Sequence, residues 1–339
     1  MLAKCVKCGK LRNGNTLSYL CQCGGIYQYE PDFKYHEGNY MRNYPYLSDA
    51  VSLGETQTPI LDMGDLMLKL EYFSPTYSYK DRGTKALISY LKSRLPNGAR
   101  INEDSSGNAG ASISAYGAAA GFAVNIFVPE KTVASKVKQI ELYGAKIHKV
   151  PGSREDVSTA ARNAEGYFAS HVYNPEFRDG MREISYEIFR QAQAFPDFIF
   201  VPVSAGTLIL GVISGFKHLL DSGEIAKLPR FVAVQTEAVK PLCARMNNLP
   251  FDPKAKVSSI ADALVSREPP LLELMYEALS GVGACITVPE EEIMQARLEL
   301  ASKGVLVEYS SATVFAAQKK FKGIGKRLLI MTGNGLKNL

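Results

Sequence analysis

Short apolar runs alternate regularly with segments of helical periodicity from about residue 79 to residue 331. Strands that are separated by helices pair in parallel, because a parallel pair needs a long crossover connection. The sequence therefore predicts an α/β fold with two parallel-sheet domains of three layers each, in which helices cover both faces of the sheet. Strands are predicted at 100–104, 123–128, 146–150, 198–203, 231–235 and 327–331, and helices at 79–95, 108–120, 135–143, 154–165, 180–193, 206–220, 289–302 and 312–322.

Composition excludes several classes of protein. With 339 residues, of which 46% are hydrophobic and 22% charged, the chain has enough apolar material for a sizeable core. No run reaches the roughly 18 to 20 apolar residues of a membrane span, and the start of the chain lacks the apolar stretch of a secretory signal. A net charge of +5 that is spread along the chain disfavours a nucleic-acid partner and leaves small anionic ligands open.

Four of the six cysteines, Cys5, Cys8, Cys21 and Cys23, lie within the first 23 residues. They form two tight pairs, each followed by glycine, as in a small zinc ribbon, although the second pair is one residue shorter than C-x2-C. The alternative is a set of free thiols in a frayed N-terminus. Because six cysteines are too few for a disulfide scaffold, the pattern indicates structural zinc in a reducing compartment, the cytoplasm.

Loops that follow the strands of a parallel sheet are where ligands bind, and four loops of this chain are rich in small polar residues. They are residues 78–83 (SYKDRG), 105–110 (SSGNAG), 204–207 (SAGT) and 332–335 (TGNG). None has the G-x-G-x-x-G or P-loop pattern, which disfavours dinucleotide and P-loop nucleotide sites. The turn at Gly206 is either a phosphate cradle of free backbone amides or a helix start that Ser204 caps.

The order and spacing of these motifs resemble those of the fold-type II pyridoxal-phosphate enzymes, which have a tryptophan synthase beta-like fold. The resemblance covers nearly the whole chain and rests on SYKDRG, SSGNAGAS at 105–112, the Gly206 turn and TGNGLK at 332–337. Within this group the chain looks most like the threonine synthases, because it also has the cysteine-rich start and GETQTP at 54–59. The resemblance implies a zinc-ribbon-like segment with its linker at 1–40, a large cofactor-binding domain at 41–84 plus 178–339, and a small domain at 85–177.

Residue roles follow from the resemblance position by position. It implies pyridoxal 5'-phosphate as the cofactor, Lys80 as the lysine that carries it and as the catalytic acid and base, and Asn108 as a contact of its 3'-oxygen. Thr332 would meet the pyridine nitrogen. The cofactor phosphate would be held by the residues of the third loop, Ser204, Ala205, Gly206 and Thr207. The substrate carboxylate would be received by three residues of the second loop, Ser105, Ser106 and Ala109.

The chain departs from the threonine synthase pattern where the substrate phosphate is held. The common pattern is N-P-x-R-x-E-G-Q-K-T, whereas residues 174–183 here read NPEFRDGMRE, so that the arginine is displaced by one position. We expect Asn174 and one of the two arginines, Arg178 or Arg182, to contact this phosphate. The arginine would supply the cation, because such a subsite needs a well-placed cationic donor. The alternative is that both arginines pair with acidic neighbours on an exposed helix.

The resemblance implies conversion of O-phospho-L-homoserine and water to L-threonine and phosphate by a cytoplasmic homodimer. A sister enzyme of the same cofactor class, either a threonine or serine ammonia-lyase or a cysteate synthase, is the first alternative because of the displaced arginine. A non-catalytic protein that binds nucleic acid through a zinc ribbon is the alternative from another class. The presence of both Lys80 and Asn108 in their motifs argues against this last hypothesis.

Overall fold

The structure is a computed structural model that describes residues 1–14, 16–255 and 258–338. Its strands are β1 Lys4–Cys5, β2 Tyr27–Gln28, β3 Ile60–Asp62, β4 Leu66–Leu70, β5 Arg100–Glu103, β6 Ala123–Pro129, β7 Lys146–Val150, β8 Tyr167–Phe168, β9 Phe198–Pro202, β10 Arg230–Thr236, β11 Gly283–Val288 and β12 Arg327–Met331. Its α-helices are α1 Tyr40–Asn43, α2 Lys80–Lys92, α3 Asn108–Ala119, α4 Ala134–Leu142, α5 Arg154–Asn163, α6 Pro175–Gly180, α7 Arg182–Gln191, α8 Thr207–Asp221, α9 Pro241–Asn247, α10 Leu272–Leu279, α11 Glu290–Ser302 and α12 Tyr309–Lys320. Two short 3-10 helices, Asp262–Leu264 and Gly335–Asn338, complete the set.

The chain forms two compact units. Unit 1 consists of Met1–Glu55 and Lys80–Met181, and unit 2 of Thr56–Tyr79 and Arg182–Leu339. This division differs from the expected boundaries, which assigned residues 41–84 to the large domain. Glu55 belongs to unit 1 because its carboxylate binds the Lys85 ammonium at 2.7 Å and the Tyr116 hydroxyl at 2.6 Å, on α2 and α3.

Unit 2 contains a six-stranded sheet in the order β11-β10-β9-β12-β4-β3. All its neighbouring strands are parallel except β3, which runs antiparallel to β4. The central strands are almost entirely apolar, as expected for a sheet that is buried on both faces. Side chains of α11 and α12 pack with those of the sheet in one apolar core.

Unit 1 contains a four-stranded parallel sheet in the order β7-β6-β5-β8. Its strand β5 is unusually polar for a central strand, and the structure gives the reason. The Asn102 side-chain amide donates to the Ala164 and Glu165 carbonyl oxygens at 3.2 and 3.3 Å and accepts a hydrogen bond from Asn125 at 3.1 Å. The side-chain nitrogen and oxygen of Asn102 are therefore both hydrogen-bonded, so its burial leaves neither atom unsatisfied.

The N-terminal segment of unit 1 is anchored in its own unit. Strands β1 and β2 pair in antiparallel fashion, and the side chains of Ala3, Cys5, Cys21, Tyr27 and Tyr29 form a small apolar cluster. The segment is joined to α6 by two buried arginines. Arg12 pairs with Glu176 and donates to the Tyr29 hydroxyl at 2.6 Å, and Arg178 donates to the Tyr27 carbonyl oxygen.

The predicted strand and helix alternation is confirmed, with differences of a few residues at element ends. The helix expected at 180–193 is α7, which is shorter, and the sequence did not indicate the helices α6, α9 and α10 or the strands β3, β4, β8 and β11. Cys243 and Cys285, outside the N-terminal cluster, form a disulfide between α9 and β11. In the described part of the chain, no helix is long and apolar enough to cross a membrane.

Candidate functional site

The chain enters α2, the helix that begins with Lys80, through a constrained turn in unit 2. Tyr77 has a φ of 65°, a left-handed conformation that is uncommon for residues other than glycine. Hydrogen bonds fix this turn against the fourth motif, since the Tyr79 amide donates to the Thr332 carbonyl oxygen at 3.0 Å and the Asn334 amide to the Tyr77 carbonyl oxygen at 3.1 Å. The structure thus brings the start of the SYKDRG motif and the TGNG motif together within unit 2.

Lys80 is the first residue of α2 and is half-buried in unit 1. Its ammonium lies 5.7 Å from the centre of the Phe177 ring, which belongs to α6. Helix α2 is held close to α6 because Gly83 has no side chain, and a Cβ there would lie only 2.5 Å from the Phe177 carbonyl oxygen. On its other side α2 is fixed to α3, where the Ser112 hydroxyl donates to the Asp81 carboxylate at 2.6 Å.

The second motif is a tight turn at the carboxyl end of β5. Gly107 precedes α3 without a side chain that caps the helix, and Asn108 is the first helical residue. A Cβ at Gly110 would lie 2.0 Å from the Ser105 carbonyl oxygen, so this turn requires glycine. Ser105, Ser106 and Asn108 are partly accessible, whereas Ala109 is buried. The first amides of α3 are therefore oriented toward the loop in the way that anion-binding helix starts are.

The third motif is the same kind of turn in unit 2. Gly206 has a φ of 99° and no side chain caps α8 behind it. A Cβ at Gly206 would meet the Met275 sulfur at 2.6 Å, so both backbone conformation and packing require glycine. The Ser204 hydroxyl accepts a long hydrogen bond from the Ser266 amide at 3.4 Å rather than capping the helix. Of the two alternatives at this turn, the capped helix start is wrong, and the uncapped amides fit an anion cradle.

The fourth motif is organised by Ser311 of α12, a residue that sequence reasoning did not select. Its hydroxyl lies 2.7 Å from the Thr332 hydroxyl and accepts hydrogen bonds from the Thr332 and Gly333 amides at 2.8 and 3.0 Å. The Glu308 carboxylate lies against Gly333, where a Cβ would be 1.9 Å from its oxygen. Thr332 is buried, and its hydroxyl is held in one place by Ser311.

The three residues expected at the substrate phosphate are all buried and have partners within their own units. The Asn174 amide binds the Phe168 and Ser170 carbonyl oxygens at 3.1 and 2.9 Å. Arg178 donates to the Val172 carbonyl oxygen at 2.8 Å as well as to Tyr27. Burial lowers the pKa of Arg178 to about 10, although nearby carboxylates oppose this effect. Arg182 opens α7 in unit 2 and donates to the Tyr186 hydroxyl.

These contacts differ from the alternative of exposed ion pairs, since neither arginine is exposed. They also use donors that a substrate phosphate would need. The role of Asn174, Arg178 and Arg182 in binding the substrate stays a prediction.

A buried acid and histidine, which sequence reasoning did not connect, lie beside the second motif in unit 1. Glu103 ends β5, and its carboxylate lies 2.6 Å from His171 Nδ1. Burial raises the pKa of Glu103 to about 7, against the lowering effects of the His171 amide and the Lys80 charge. Burial and the Lys80 charge hold the pKa of His171 well below its usual range. The two residues are 68 positions apart in the sequence, so no local pattern connects them.

The four N-terminal cysteines converge in unit 1. Their Sγ atoms all lie within 4.8 Å of one another, and the Cys5–Cys23 and Cys8–Cys21 distances are both 3.6 Å. A tetrahedral zinc site with Zn–S bonds of about 2.3 Å has sulfur atoms about 3.8 Å apart. The geometry of the cluster therefore fits a four-thiolate metal site.

The chain is similar to known proteins over most of its length. Residues 51–333 match the family described as "Pyridoxal-phosphate dependent enzyme". The chain belongs to this family. A threonine synthase of Methanocaldococcus jannaschii is 31% identical over an alignment of 383 positions, which covers 100% of this chain and 93% of that protein. Threonine synthases of Methanosarcina acetivorans and Mycobacterium tuberculosis are 27% and 29% identical and cover 95% and 85% of this chain, and 87% and 84% of their own lengths.

Solved structures agree on the fold of this pyridoxal-phosphate family member. A maize serine racemase superposes with a TM-score of 0.71 at 22% identity, over 83% of this chain and 88% of that one. A pyridoxal 5'-phosphate-dependent aspartate racemase gives 0.73 at 19% identity, over 89% of this chain and 97% of that one. At these identities the likeness shows the fold alone. It confirms the predicted α/β, parallel-sheet class.

Proposed function

We propose that the chain is a threonine synthase, which converts O-phospho-L-homoserine and water to L-threonine and phosphate. The observation that carries the proposal is the similarity to the Methanocaldococcus jannaschii threonine synthase along 100% of this chain. Because that alignment includes the N-terminal cysteines as well as residues 51–333, it supports this activity over others in the same cofactor family.

The residues present fit pyridoxal 5'-phosphate. In unit 2, the uncapped start of α8 at Gly206 offers backbone amides and the positive end of a 15-residue helix to a phosphate. Thr332, fixed by Ser311, offers a neutral hydroxyl where the resemblance expects the pyridine nitrogen. In unit 1, Lys80 offers an amine and Asn108 an amide at the start of a helix. We therefore assign Lys80, Asn108, Ser204–Thr207 and Thr332 to the cofactor.

When bound, pyridoxal phosphate would withdraw electrons through the substrate amine, which would make the protons on the α- and β-carbons more acidic. Lys80 Nζ removes the proton from the α-carbon and then one from the β-carbon, and phosphate leaves from the γ-carbon. Lys80 returns protons to the γ- and α-carbons, water adds its hydroxyl group at the β-carbon, and the remaining proton of that water goes to the released phosphate. The amides at the start of α3, with Ser105, Ser106 and Ala109, hold the substrate carboxylate and so keep the α-proton in reach.

We also propose that Cys5, Cys8, Cys21 and Cys23 bind one structural zinc ion. The support is the sulfur geometry, which leaves no open position for a substrate. Zinc here would hold the segment that carries Arg12, whose contacts with Glu176 and Tyr29 are internal to unit 1. A cytoplasmic homodimer that acts on a small phosphorylated amino acid completes the proposal, on the strength of the resemblance.

Substitution of Lys80 tests the assignment. We expect Lys80→Ala to abolish threonine formation and the borohydride-reducible lysine adduct, because the amine that exchanges with the substrate is gone. Lys92→Ala, at the exposed end of the same helix, is the matched control and should behave as wild type. A wild-type level of adduct in Lys80→Ala would show that another lysine does this chemistry.

A substrate panel separates the proposal from its alternatives. Phosphohomoserine, phosphoserine with sulfite, serine and threonine are supplied in turn, and phosphate, pyruvate and 2-oxobutyrate are measured. Phosphate release from phosphohomoserine with threonine as product supports the proposal. Pyruvate from serine, 2-oxobutyrate from threonine, or phosphate only from phosphoserine would assign the chain to a sister enzyme. A protein with no visible absorbance and no turnover would fit the non-catalytic binding hypothesis.

A further inference from the structure

The disulfide between Cys243 and Cys285 lies in unit 2 and takes no part in the mechanism described so far. It joins α9 to β11, the strand at one edge of the six-stranded sheet, and its two Cα atoms are 5.0 Å apart. Cys243 is 0% exposed and Cys285 is 7% exposed. In a reducing compartment, which is the location that we propose, disulfides are usually transient and are catalytic or redox-sensing. A bond at this place is therefore expected to open and close.

The side chain of Gln235 links the disulfide to the anion cradle, residues 204–207. Gln235 Oε1 accepts hydrogen bonds from the backbone amides of Leu242 and Cys243 at 2.9 and 3.0 Å. Its Nε2 donates to the carbonyl oxygen of Val203, the residue before the anion cradle, at 3.4 Å. Gln235 is 0% exposed, so these contacts are costly to break without replacement. A single buried side chain thus connects the backbone of Cys243 with the start of the anion cradle.

The stretch of chain between the two cysteines provides a second link, because it lies against the same turn. The Ser266 amide donates to the Ser204 hydroxyl at 3.4 Å. Helix α10 packs directly on the turn, since a Cβ at Gly206 would lie 2.6 Å from the Met275 sulfur. Both contacts belong to the segment that the disulfide closes into a loop. The closed bond therefore restricts the movement of the residues that cover the anion cradle.

Helix α9 also contacts α10, but only through exposed groups. Arg245 donates to Glu273 at 3.3 and 3.4 Å, and its guanidinium lies 3.9 Å from the centre of the Tyr276 ring. Arg245 and Glu273 are 44% and 63% exposed, so this ion pair stabilises little by itself. The Asn247 side-chain amide donates to the Cys285 carbonyl oxygen at 3.1 Å, a contact that does not need the disulfide. Reduction should therefore loosen α9 without detaching it from β11.

We propose that the Cys243–Cys285 disulfide is a redox switch for the anion cradle. The closed bond keeps the anion cradle ordered, and the reduced state lets it open more often. The inference rests on the proposed cofactor role of residues 204–207. A dithiol supplies two electrons and two protons: the S–S bond breaks, two S–H bonds form, and the dithiol closes to its own disulfide. Glutathione disulfide reverses the step, because it takes up the two electrons and two protons as it becomes two thiols.

The competing explanation is that the disulfide only stabilises the edge of the sheet. Hydrogen–deuterium exchange of the full chain, freed of cofactor, distinguishes the two when it is measured before and after treatment with excess dithiothreitol. Alkylation after denaturation verifies that Cys243 and Cys285 have become thiols. We expect the amides of residues 203–210 to exchange about 10-fold faster after reduction, because local opening becomes more frequent there. The equivalent turn of unit 1, residues 105–112, is the control and should not change.

Three results of this experiment would overturn the proposal. The first is unchanged exchange at 203–210 in protein that contains both thiols. The second is an equal acceleration at 327–331, the strand β12, since that indicates a general loss of stability in unit 2. The third is a disulfide that stays closed in native protein under excess dithiothreitol.

The variant Cys243→Ala/Cys285→Ala tests whether the response belongs to this bond. It should exchange rapidly at 203–210 with or without dithiothreitol, because it has no disulfide to reduce. The four N-terminal cysteines are retained in it, so a response to dithiothreitol in this variant would assign the effect to them and contradict the proposal. The wild-type comparison stands by itself if the variant does not fold.

Affinity for pyridoxal 5'-phosphate gives an independent readout. The reduced protein is separated from dithiothreitol, and cofactor binding is followed by visible absorbance. We expect the apparent Kd to be about 10-fold higher than in the oxidised protein, because it rises as the binding-competent fraction falls. Reoxidation with glutathione disulfide should restore the original value. An apparent Kd that does not depend on the thiol state would overturn the proposal.

Threonine formation separates this inference from the proposed function. A protein that shows both redox effects but makes no threonine from phosphohomoserine would refute the proposed function and leave the switch standing. A protein that makes threonine but shows neither redox effect would refute the switch alone.

Discussion

Replacement of Lys69 by methionine is expected to cost unit 2 much of its stability. Lys69, on β4, is 0% exposed, and its ammonium donates to the Thr58 carbonyl oxygen at 2.6 Å, to Glu187 at 2.6 Å and to Gln191 at 2.8 Å. A second carboxylate, that of Glu71, lies 3.7 Å away. The network joins the TQTP part of the GETQTP motif to β4 and α7, entirely within unit 2.

The expected loss in the free energy of unfolding follows from the carboxylates that remain without a cation. Methionine replaces the lysine stem with a similar apolar volume, so the change removes mainly the cation shared by Glu187 and Glu71. Breaking a buried ion pair by removal of one partner costs about 3–5 kcal/mol, because the remaining charge is buried without compensation. That is a large part of the roughly 5–15 kcal/mol that stabilises a typical domain.

Urea unfolding, followed by circular dichroism, measures this change through the midpoint and slope. The matched control is Lys320→Met, where the ammonium lies 2.7 Å from Glu292 but the two side chains are 39% and 37% exposed, so we expect less than about 1 kcal/mol. The double variant Lys69→Met/Glu187→Leu should recover much of the loss, since an apolar pair replaces the charges. A loss of stability in Lys69→Met equal to that of the control, or strictly additive effects in the double variant, would show that the buried ion pair does not stabilise unit 2 in this way.

Two further predictions concern the N-terminal cysteines and the displaced arginine. Protein purified without chelator should contain about one zinc per chain, because a closed four-thiolate site retains its metal; less than half an equivalent would contradict the zinc proposal. If Arg178 or Arg182 holds the substrate phosphate, its alanine variant should lower kcat/KM on phosphohomoserine by roughly 10- to 100-fold without a matching loss of stability. The assignment would be wrong if both variants had near wild-type kcat/KM, or if kcat/KM fell only to the extent that the protein unfolded.

The parts of the fold that could be predicted are those with a local cause. Apolar runs such as Phe198–Pro202 and helical periodicity between them were enough to define an α/β fold. The helix predicted at 154–165 begins where Ser153 caps it, with Asp156 completing a capping box. The glycine at 206 was recognised because a strand that passes directly into a helix leaves free amides. In each case the relevant residues lie within a few positions of one another.

What could not be predicted depends on pairs that are distant in the sequence. The polar strand β5 is explained only by Asn125 and by the carbonyl groups near residue 165. The Cys243–Cys285 disulfide joins residues 42 positions apart, and nothing in either local sequence indicates it. The partner of Glu103 is His171, which lies beyond the end of another strand and 68 positions away in the sequence. Tertiary partners, rather than propensity, decide these cases.

The displaced arginine illustrates how such distant pairs limit transfer of roles from a family pattern. Arg178 donates to the Tyr27 carbonyl oxygen on β2, and its neighbour Glu176 receives the Arg12 guanidinium and the Tyr29 hydroxyl, the latter at 2.8 Å. Both α6 side chains therefore contact the cysteine-rich segment. A shift of one residue in α6 changes which side chain faces this segment, because successive helical positions differ by about 100 degrees. The departure from the common N-P-x-R pattern and the presence of the N-terminal segment consequently have to be interpreted together, and the position of an arginine in the pattern is not by itself evidence for a phosphate subsite.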